Sequence, residues 1–271
     1  MNTRKLAFIG IFIMKIALLS GCAKLPTQQV AVAERQVEFI YQDRQADLTV
    51  VFENGLTSKL STWQGVLPLL PDDVNYLVYN RADYGRSESS NQPRTGEFIV
   101  AELRELLAQQ RIEPPYILVG HSLGGLYAQY FARSYPDELA GLLIVDSVHP
   151  TQMEKRGAYE NWSFGSRLGF NIFTSKTEKA ELFGLTPTGQ AVLAKPNPEH
   201  LPMIIIVASQ NGRKDPIAVA HIEHKRRDLA NIYPQADWRQ VDAGHTMQRQ
   251  RPDIVADAIN ELIANHRKNA F

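Results

Sequence analysis

Apolar and polar positions along this chain fall into two kinds of block. Short runs rich in Val, Ile, Leu and Tyr at 37–41, 48–52, 74–79, 116–119, 141–145, 203–208 and 238–241 predict strands. The polar turn at 42–46 separates the first two. Between the later runs, apolar residues recur at helical spacing. Trp63, Val66, Leu67 and Leu70 mark a short helix stopped by Pro71. Phe98, Leu103, Leu106 and Leu107 predict a helix over about 95–111, and Leu126, Tyr127, Tyr130 and Phe131 one over 123–134, closed by Pro136. Ile254, Val255, Ala258, Ile259 and Leu262 give an amphipathic closing helix. Alternation of this kind predicts an α/β fold, a mostly parallel β-sheet flanked by helices on both faces.

The alternation fails in two places. Residues 150–200 carry no sheet pattern; Trp162, Phe164, Phe170, Ile172, Phe173, Leu182, Phe183 and Leu185 are interleaved there with Lys, Arg and Glu. An insertion at this point lies over the carboxyl edge of the sheet, where open α/β folds bind ligands. It is expected to be a small helical cap, most of its aromatics packing onto the core and a minority lining an acyl or alcohol pocket. The other exception is the start of the chain. Arg4 and Lys5 precede an apolar run from Leu6 to Leu19, broken by Lys15, in the layout of a secretory signal. The run is short for a membrane span.

The apolar run ends in Leu19-Ser20-Gly21-Cys22, which resembles a bacterial lipobox. That resemblance implies removal of residues 1–21, lipid attachment to Cys22, and a protein held on a membrane of the bacterial cell envelope. Cys22 is the only cysteine in the chain, so no disulfide can form within it. Residues 22–35 are expected to be a tether, and 36–271 a single domain, a length that suits one α/β unit. Formal charge is zero over the chain, and losing Arg4, Lys5 and Lys15 leaves the remainder slightly acidic. With no basic block or aromatic–basic interleaving, a nucleic-acid partner is not expected.

The densest chemical signal lies between the 116–119 strand and the 123–134 helix. Gly120-His121-Ser122-Leu123-Gly124 is a G-x-S-x-G with a strand before it and a helix after it. A strand turning straight into a helix strains the middle residue and crowds the positions two on either side, which must be small. Ser122 is thereby held clear of the backbone, and the Leu123 N–H is free for an oxyanion. Gly-His-Ser-Leu-Gly-Gly resembles the nucleophile elbow of the α/β-hydrolase superfamily, most closely the bacterial esterase- and lipase-like serine hydrolases. The resemblance runs from about Val37 onward.

Two loops extend it. Glu53-Asn54-Gly55-Leu56 occupies the place of the His-Gly loop that supplies the second oxyanion donor; the histidine is absent, but the donor is a backbone N–H, by position that of Leu56. Asn80-Arg81-Ala82-Asp83-Tyr84-Gly85-Arg86-Ser87 resembles the family's Asp-Arg-x-Gly-x-Gly-x-Ser segment, with Asn80 and Asp83 as departures, and takes a structural role. His245, after the last strand and before the last helix, holds the family's place for the base. His121 is expected to pack. His221 and His224 lie one helical turn apart but lack further ligands for a metal.

For the acid, both Asp146 and Asp215 satisfy the order Ser, Asp, His. Asp146 ends a strongly apolar strand, which would fix its carboxylate; Asp215, in a longer polar loop, is the alternative in the family's commoner location. The resemblance implies a carboxylesterase-like serine hydrolase acting through an acyl-enzyme on a small-molecule ester, with neither metal nor cofactor. A thioesterase, amidase or acyltransferase could use the same residues, and a non-catalytic envelope binding protein could keep the same fold. Serine at the elbow disfavours haloalkane dehalogenases and epoxide hydrolases, which use aspartate there.

Overall fold

Eight strands form one sheet in the order β1-β2-β4-β3-β5-β6-β7-β8 in the computed structural model. The structure describes residues 26–210, 212 and 216–269. The expected signal segment 1–21, Cys22 and the alternative acid Asp215 lie outside the described residues. The strands are β1 (Gln28–Val32), β2 (Arg35–Gln42), β3 (Thr49–Glu53), β4 (Asn75–Tyr79), β5 (Tyr116–His121), β6 (Leu139–Val145), β7 (Met203–Ala208) and β8 (Asp237–Val241). β1 pairs with β2, and β2 with β4, antiparallel; from β4 to β8 every pairing is parallel.

The parallel strands are apolar on both sides because both sides are covered. Successive side chains of a strand point to opposite faces. Val50 and Phe52 of β3, Ile117 and Val119 of β5, Leu143 and Val145 of β6, and Ile204 and Ile206 of β7 therefore reach one core. Helix α7 (Pro252–Asn269) and the 3-10 turn Leu60–Trp63 cover it through Val255, Ile259, Leu262 and Trp63. The alternate residues Val51, Leu118, Leu142, Ile144, Ile205 and Val207 reach a second core. It is closed by α1 (Gly96–Gln109), α2 (Leu123–Ser134) and α5 (Pro216–Ile232), with Leu103, Leu106, Phe131 and Leu229 as the packing residues.

Residues 28–35, expected to lie in a tether, instead form β1, the turn after it and the start of β2. β1 is an edge strand in which Gln28 and Gln29 face solvent and only Val32 is buried, so its sequence lacks the usual alternation. The expected helix at Trp63–Leu70 is instead two 3-10 turns, Leu60–Trp63 and Leu67–Leu69, with Pro68 in the first turn of the second.

Between β6 and β7 the insertion forms α3 (Phe164–Phe173) and α4 (Lys176–Leu193), preceded by two short 3-10 turns. Ser175 opens α4 with a reciprocal cap: its hydroxyl accepts the Glu178 N–H, and the Glu178 carboxylate accepts the Ser175 N–H. α4 packs on α1 and α2. A side chain at Gly184 would sit 2.1 Å from the Arg94 carbonyl, and one at Gly189 1.8 Å from that of Pro150, so both glycines seat the helix directly on backbone. α3 is different: none of its ten residues is buried.

Candidate active site

Ser122 sits between β5 and α2 with φ 54° and ψ −120°, a backbone conformation that costs a non-glycine residue on the order of 1–3 kcal/mol. The two glycines around it permit the turn. A Cβ at Gly120 would lie 2.7 Å from the Gly124 carbonyl oxygen and from the Ala128 methyl. One at Gly124 would lie 2.4 Å from the carbonyl oxygens of both Glu53 and Asn54, so the start of α2 presses against the 53–56 loop. Leu123 is the first residue of α2, and its N–H has no acceptor within the helix.

His245 lies on the turn between β8 and the short helix α6 (Met247–Gln250). Gln248 and Met247 of that helix are buried, and Gln250 Oε1 accepts the Gly244 N–H at 2.8 Å, which fixes the turn. The His245 Nδ1 is 2.6 Å from Asp146 Oδ2, and its Nε2 is 3.0 Å from Ser122 Oγ. A carboxylate can only accept, so Nδ1 carries the proton, and Nε2 of the neutral ring accepts the Ser122 hydroxyl. Ser122, His245 and Asp146 are brought together from three strand ends. Among the described residues no other carboxylate meets His245.

Asp146 follows β6 directly and takes φ 41°. Its Oδ1 accepts the Ala208 N–H at 3.1 Å, and its Oδ2 also accepts Arg226 Nη2 of α5 at 2.5 Å. Burial pushes its pKa up, but the bond from His245 and the Arg226 charge outweigh that, and the carboxyl is held below its ordinary value. Arg226 was not singled out from the sequence. Its one signal is a cation in mid-helix, which looks like any solvated position.

His121, beside the nucleophile, packs as expected: its Nε2 donates to the His245 carbonyl at 2.8 Å, and its ring lies 4.8 Å from the His245 ring. Its Nδ1 is buried without a hydrogen-bond partner among the described residues. Burial, with His245 nearby, lowers its pKa to about 3, so this ring is neutral. His221 contacts the Gln152 carbonyl at 3.1 Å, and among the described residues no group of three or more His, Cys, Asp or Glu could hold a metal ion.

The 53–56 loop is held from below by Arg81, which is fully buried. Arg81 Nη1 donates to the Asn54 carbonyl at 2.5 Å and Nη2 to that of Gly55 at 3.1 Å. It pairs with Glu53 at 2.7 Å and, through Nε and Nη2, with both oxygens of Glu181 on α4 at 2.8 Å. A single guanidinium thus ties the loop bearing Leu56 to the cap. Asn80, one of the departures in the same segment, accepts the Leu60 N–H at 2.7 Å and donates to Glu38 at 2.7 Å.

Above Ser122 lies a cavity of about 420 Å³, within the range of small-molecule sites. Apolar Leu56, Leu123, Met153, Phe170, Leu182 and Leu185 line it together with polar Ser122, His245, Gln152, Gln210 and Arg226. A second cavity of about 340 Å³ lies beyond Met153, Trp162 and Ile222 and holds none of the three linked residues. Of the cap aromatics, Trp162 and Phe170 reach the first cavity, whereas Phe164, Phe173 and Phe183 are exposed.

A parallel sheet wrapped by helices on both faces, with a strand–serine–helix turn at its carboxyl edge and a cap above, defines an α/β enzyme of the hydrolase class. Residues 50–258 match the alpha/beta hydrolase family, and the chain belongs to it. The uncharacterized protein YbdG of Bacillus subtilis is 30% identical over 261 residues, covering 80% of this chain and 79% of its own. YqjL of the same organism, also uncharacterized, is 22% identical over 225 residues, covering 79% and 83%. Among solved structures, a loop variant of the haloalkane dehalogenase DbeA from Bradyrhizobium elkanii superposes with a TM-score of 0.66 over 90% of this chain and 98% of its own, at 14% identity. The epoxide hydrolase CorEH gives 0.58 over 89% and 99%, at 15% identity. Identities this low speak for the fold alone.

Proposed function

We propose that the protein is a serine hydrolase that cleaves carboxylic esters through an acyl-enzyme. The observation that carries this reading is His245 bridging Ser122 and Asp146 by its two ring nitrogens. In the first half-reaction Ser122 Oγ attacks the ester carbonyl while His245 Nε2 takes its proton. The oxygen gains negative charge and is met by the N–H groups of Leu56 and Leu123. His245 then returns the proton to the departing alcohol. Water, deprotonated by the same nitrogen, attacks the acyl-enzyme and releases the acid. Asp146 holds the ring in the tautomer that leaves Nε2 free. The dehalogenases and epoxide hydrolases that share the fold are a poor guide to the chemistry, because this elbow carries serine.

The apolar share of the cavity lining favours a substrate with an acyl chain. The test is covalent labelling with a fluorophosphonate, followed by turnover of p-nitrophenyl esters of increasing chain length. Labelling that disappears in Ser122→Ala, with unchanged circular dichroism, supports the reading; a protein that never labels is a binding module with a hydrolase fold. Running thioester and amide analogues alongside separates an esterase from a thioesterase or amidase, and adding an alcohol acceptor detects acyl transfer.

The proposal extends to location. Leu19-Ser20-Gly21-Cys22 supports a lipoprotein held on a membrane of the bacterial cell envelope by lipid on Cys22. Incorporation of labelled palmitate into wild type but not into Cys22→Ser is the expected result. Equal incorporation would exclude Cys22 as the site.

A further inference from the structure

Helix α3 is built the wrong way round for a protein surrounded only by water. Phe164, Leu168 and Ile172 recur every four residues and so share one face, and Phe173 stands beside them. A surface helix ordinarily turns that stripe toward the core. Here Phe164 is 75% exposed, Ile172 63% and Phe173 85%. Gly165 and Gly169, on the same side, have open space where a Cβ would be. The inward side is held by an aromatic cluster: Phe170 packs on Tyr159, Trp162 and Phe183 with ring centroids 5.7–6.5 Å apart. The outward orientation is therefore anchored. Residues 154–180 also carry five basic and three acidic side chains, a positive bias in a chain of zero formal charge.

The way the chain enters the fold says what this face meets. Gln28 pairs with Phe39, and Phe39 with Tyr79, the last residue of β4. The start of β1 is therefore at the carboxyl edge of the parallel strands, the edge that carries Ser122 and the cap. Because β1 begins at Gln28, only five residues separate it from Cys22, and the two lie at most about 22 Å apart when the connection is fully extended. A lipid on Cys22 would therefore keep the bilayer within about 22 Å of that end of β1.

We propose that the outward face of α3 is a membrane-docking surface, with Phe164, Leu168, Ile172 and Phe173 inserted among the lipid headgroups and the cap basic residues against anionic lipid. A helix with this distribution lies in the plane of the interface, its apolar side about 5–10 Å deep. Docked in this way, the cavity shares a wall with the bilayer surface through Phe170 of the same helix. The substrates that reach it most directly are amphiphilic esters drawn from the membrane. The geometry rests on lipidation of Cys22; the exposed face itself does not.

The experiment uses the full chain on vesicles of phosphatidylcholine, with and without phosphatidylglycerol, and an environment-sensitive fluorophore at Phe173→Cys. Mass analysis of the labelled peptides confirms where the dye sits and independently reports whether Cys22 carries lipid. Glu113→Cys, exposed in the loop before β5 at the opposite edge, is the control. The dye at 173 should shift to the blue, brighten several-fold on vesicles and be quenched by brominated acyl chains, more so with phosphatidylglycerol; the dye at 113 should do none of these. Adding Phe164→Ser and Ile172→Ser should return the 173 dye to water while a lipidated protein still floats with the vesicles. A 173 dye as aqueous as the 113 dye overturns the proposal. So does one already shielded without vesicles, whether the cover is residues 1–25 or, in a concentration-dependent way, a second copy. Unmodified Cys22 with an inserted 173 dye would leave docking standing and remove only the tether.

Discussion

Arg226 and His245 meet at one atom: both bond Oδ2 of Asp146, at 2.5 and 2.6 Å, one from α5 and the other from the turn after β8. The carboxylate is buried, and Arg226 is nearly so. A lone buried charge is costly, but here the carboxylate, the guanidinium, the imidazole N–H and the Ala208 N–H satisfy one another.

Asp146→Asn should therefore do two things. Without a carboxylate to select the tautomer of His245, ester turnover should fall by about 10⁴ in kcat. Arg226 would lose its counter-charge, and a buried ion left unpaired costs about 3–5 kcal/mol. The pH dependence has a definite sign. The folded pKa of Asp146 lies below its ordinary 3.8, so its contribution is fully present above that value and is lost as pH falls through the folded pKa. Urea melts of wild type and variant should thus differ by a constant amount near neutrality and converge in strong acid. An Asp146→Asn enzyme within ten-fold of wild type would remove Asp146 from the mechanism.

Acid stability has a second, earlier component. His121 and His149 are buried neutral, with pKa values lowered by burial to about 3 and about 4. The unfolded chain takes up their protons near pH 6.5, the folded chain only well below it. Stability should decline from about pH 6.5 downward, by up to about 1.4 kcal/mol per pH unit for each histidine. His121→Asn should make the slope between pH 6 and 5 shallower, with His149 supplying what remains. An identical slope in wild type and variant would mean that His121 is protonated in the fold.

Glu181→Gln tests the link between cap and oxyanion loop. It leaves Arg81 with one carboxylate, Glu53, for a buried charge that now has two. Because Glu53 still pairs Arg81, the expected loss in denaturant melts is below the about 3–5 kcal/mol of a fully unpaired buried charge. Because Arg81 also holds the Asn54 and Gly55 carbonyls, kcat should fall more than KM changes, at a temperature where the variant is folded. A variant as stable as wild type would show that Glu181 contributes little to holding Arg81.

The apolar wall makes a prediction about chain length. Leu182 and Leu185 project from α4 into the cavity above Ser122. Replacing Leu182 with Trp should fill part of it and shift the preferred p-nitrophenyl ester toward shorter acyl chains, with kcat/KM for the shortest ester nearly unchanged. A uniform fall across all lengths would place the acyl chain elsewhere.

The parts legible in the sequence were those fixed by local backbone chemistry. Gly120 and Gly124 announce a strand-to-helix turn at Ser122 because nothing larger fits, Asp146 follows β6 directly, and His245 lies on the turn after β8. A one-dimensional reading cannot show that the end of β6 lies beside the turn after β8, where Asp146 meets His245. Arg226 and Glu181 were invisible for a related reason: each is one charge on a long helix, and its partner lies 80 or 100 residues away. β1 was missed because an edge strand with one buried residue has no alternation to read. The outward face of α3 misled in the opposite sense, since an apolar stripe ordinarily reports burial.

The close seating of α4 on the backbone at Gly184 and Gly189 divides the cap into a part that can vary and a part that cannot. α4 is a beam of the frame: it cannot swing or tilt without driving Cβ-free contacts apart and dragging Glu181 from Arg81. α3 is held differently, by the rings around Phe170 and by bonds to Asn171 and not by close backbone seating. Its outward positions Phe164, Leu168, Ile172 and Phe173 can vary without disturbing buried packing, but Phe170 cannot. Through Phe170, α3 contributes one wall residue to the cavity above Ser122, whereas α4 contributes Leu182 and Leu185 from its fixed seat.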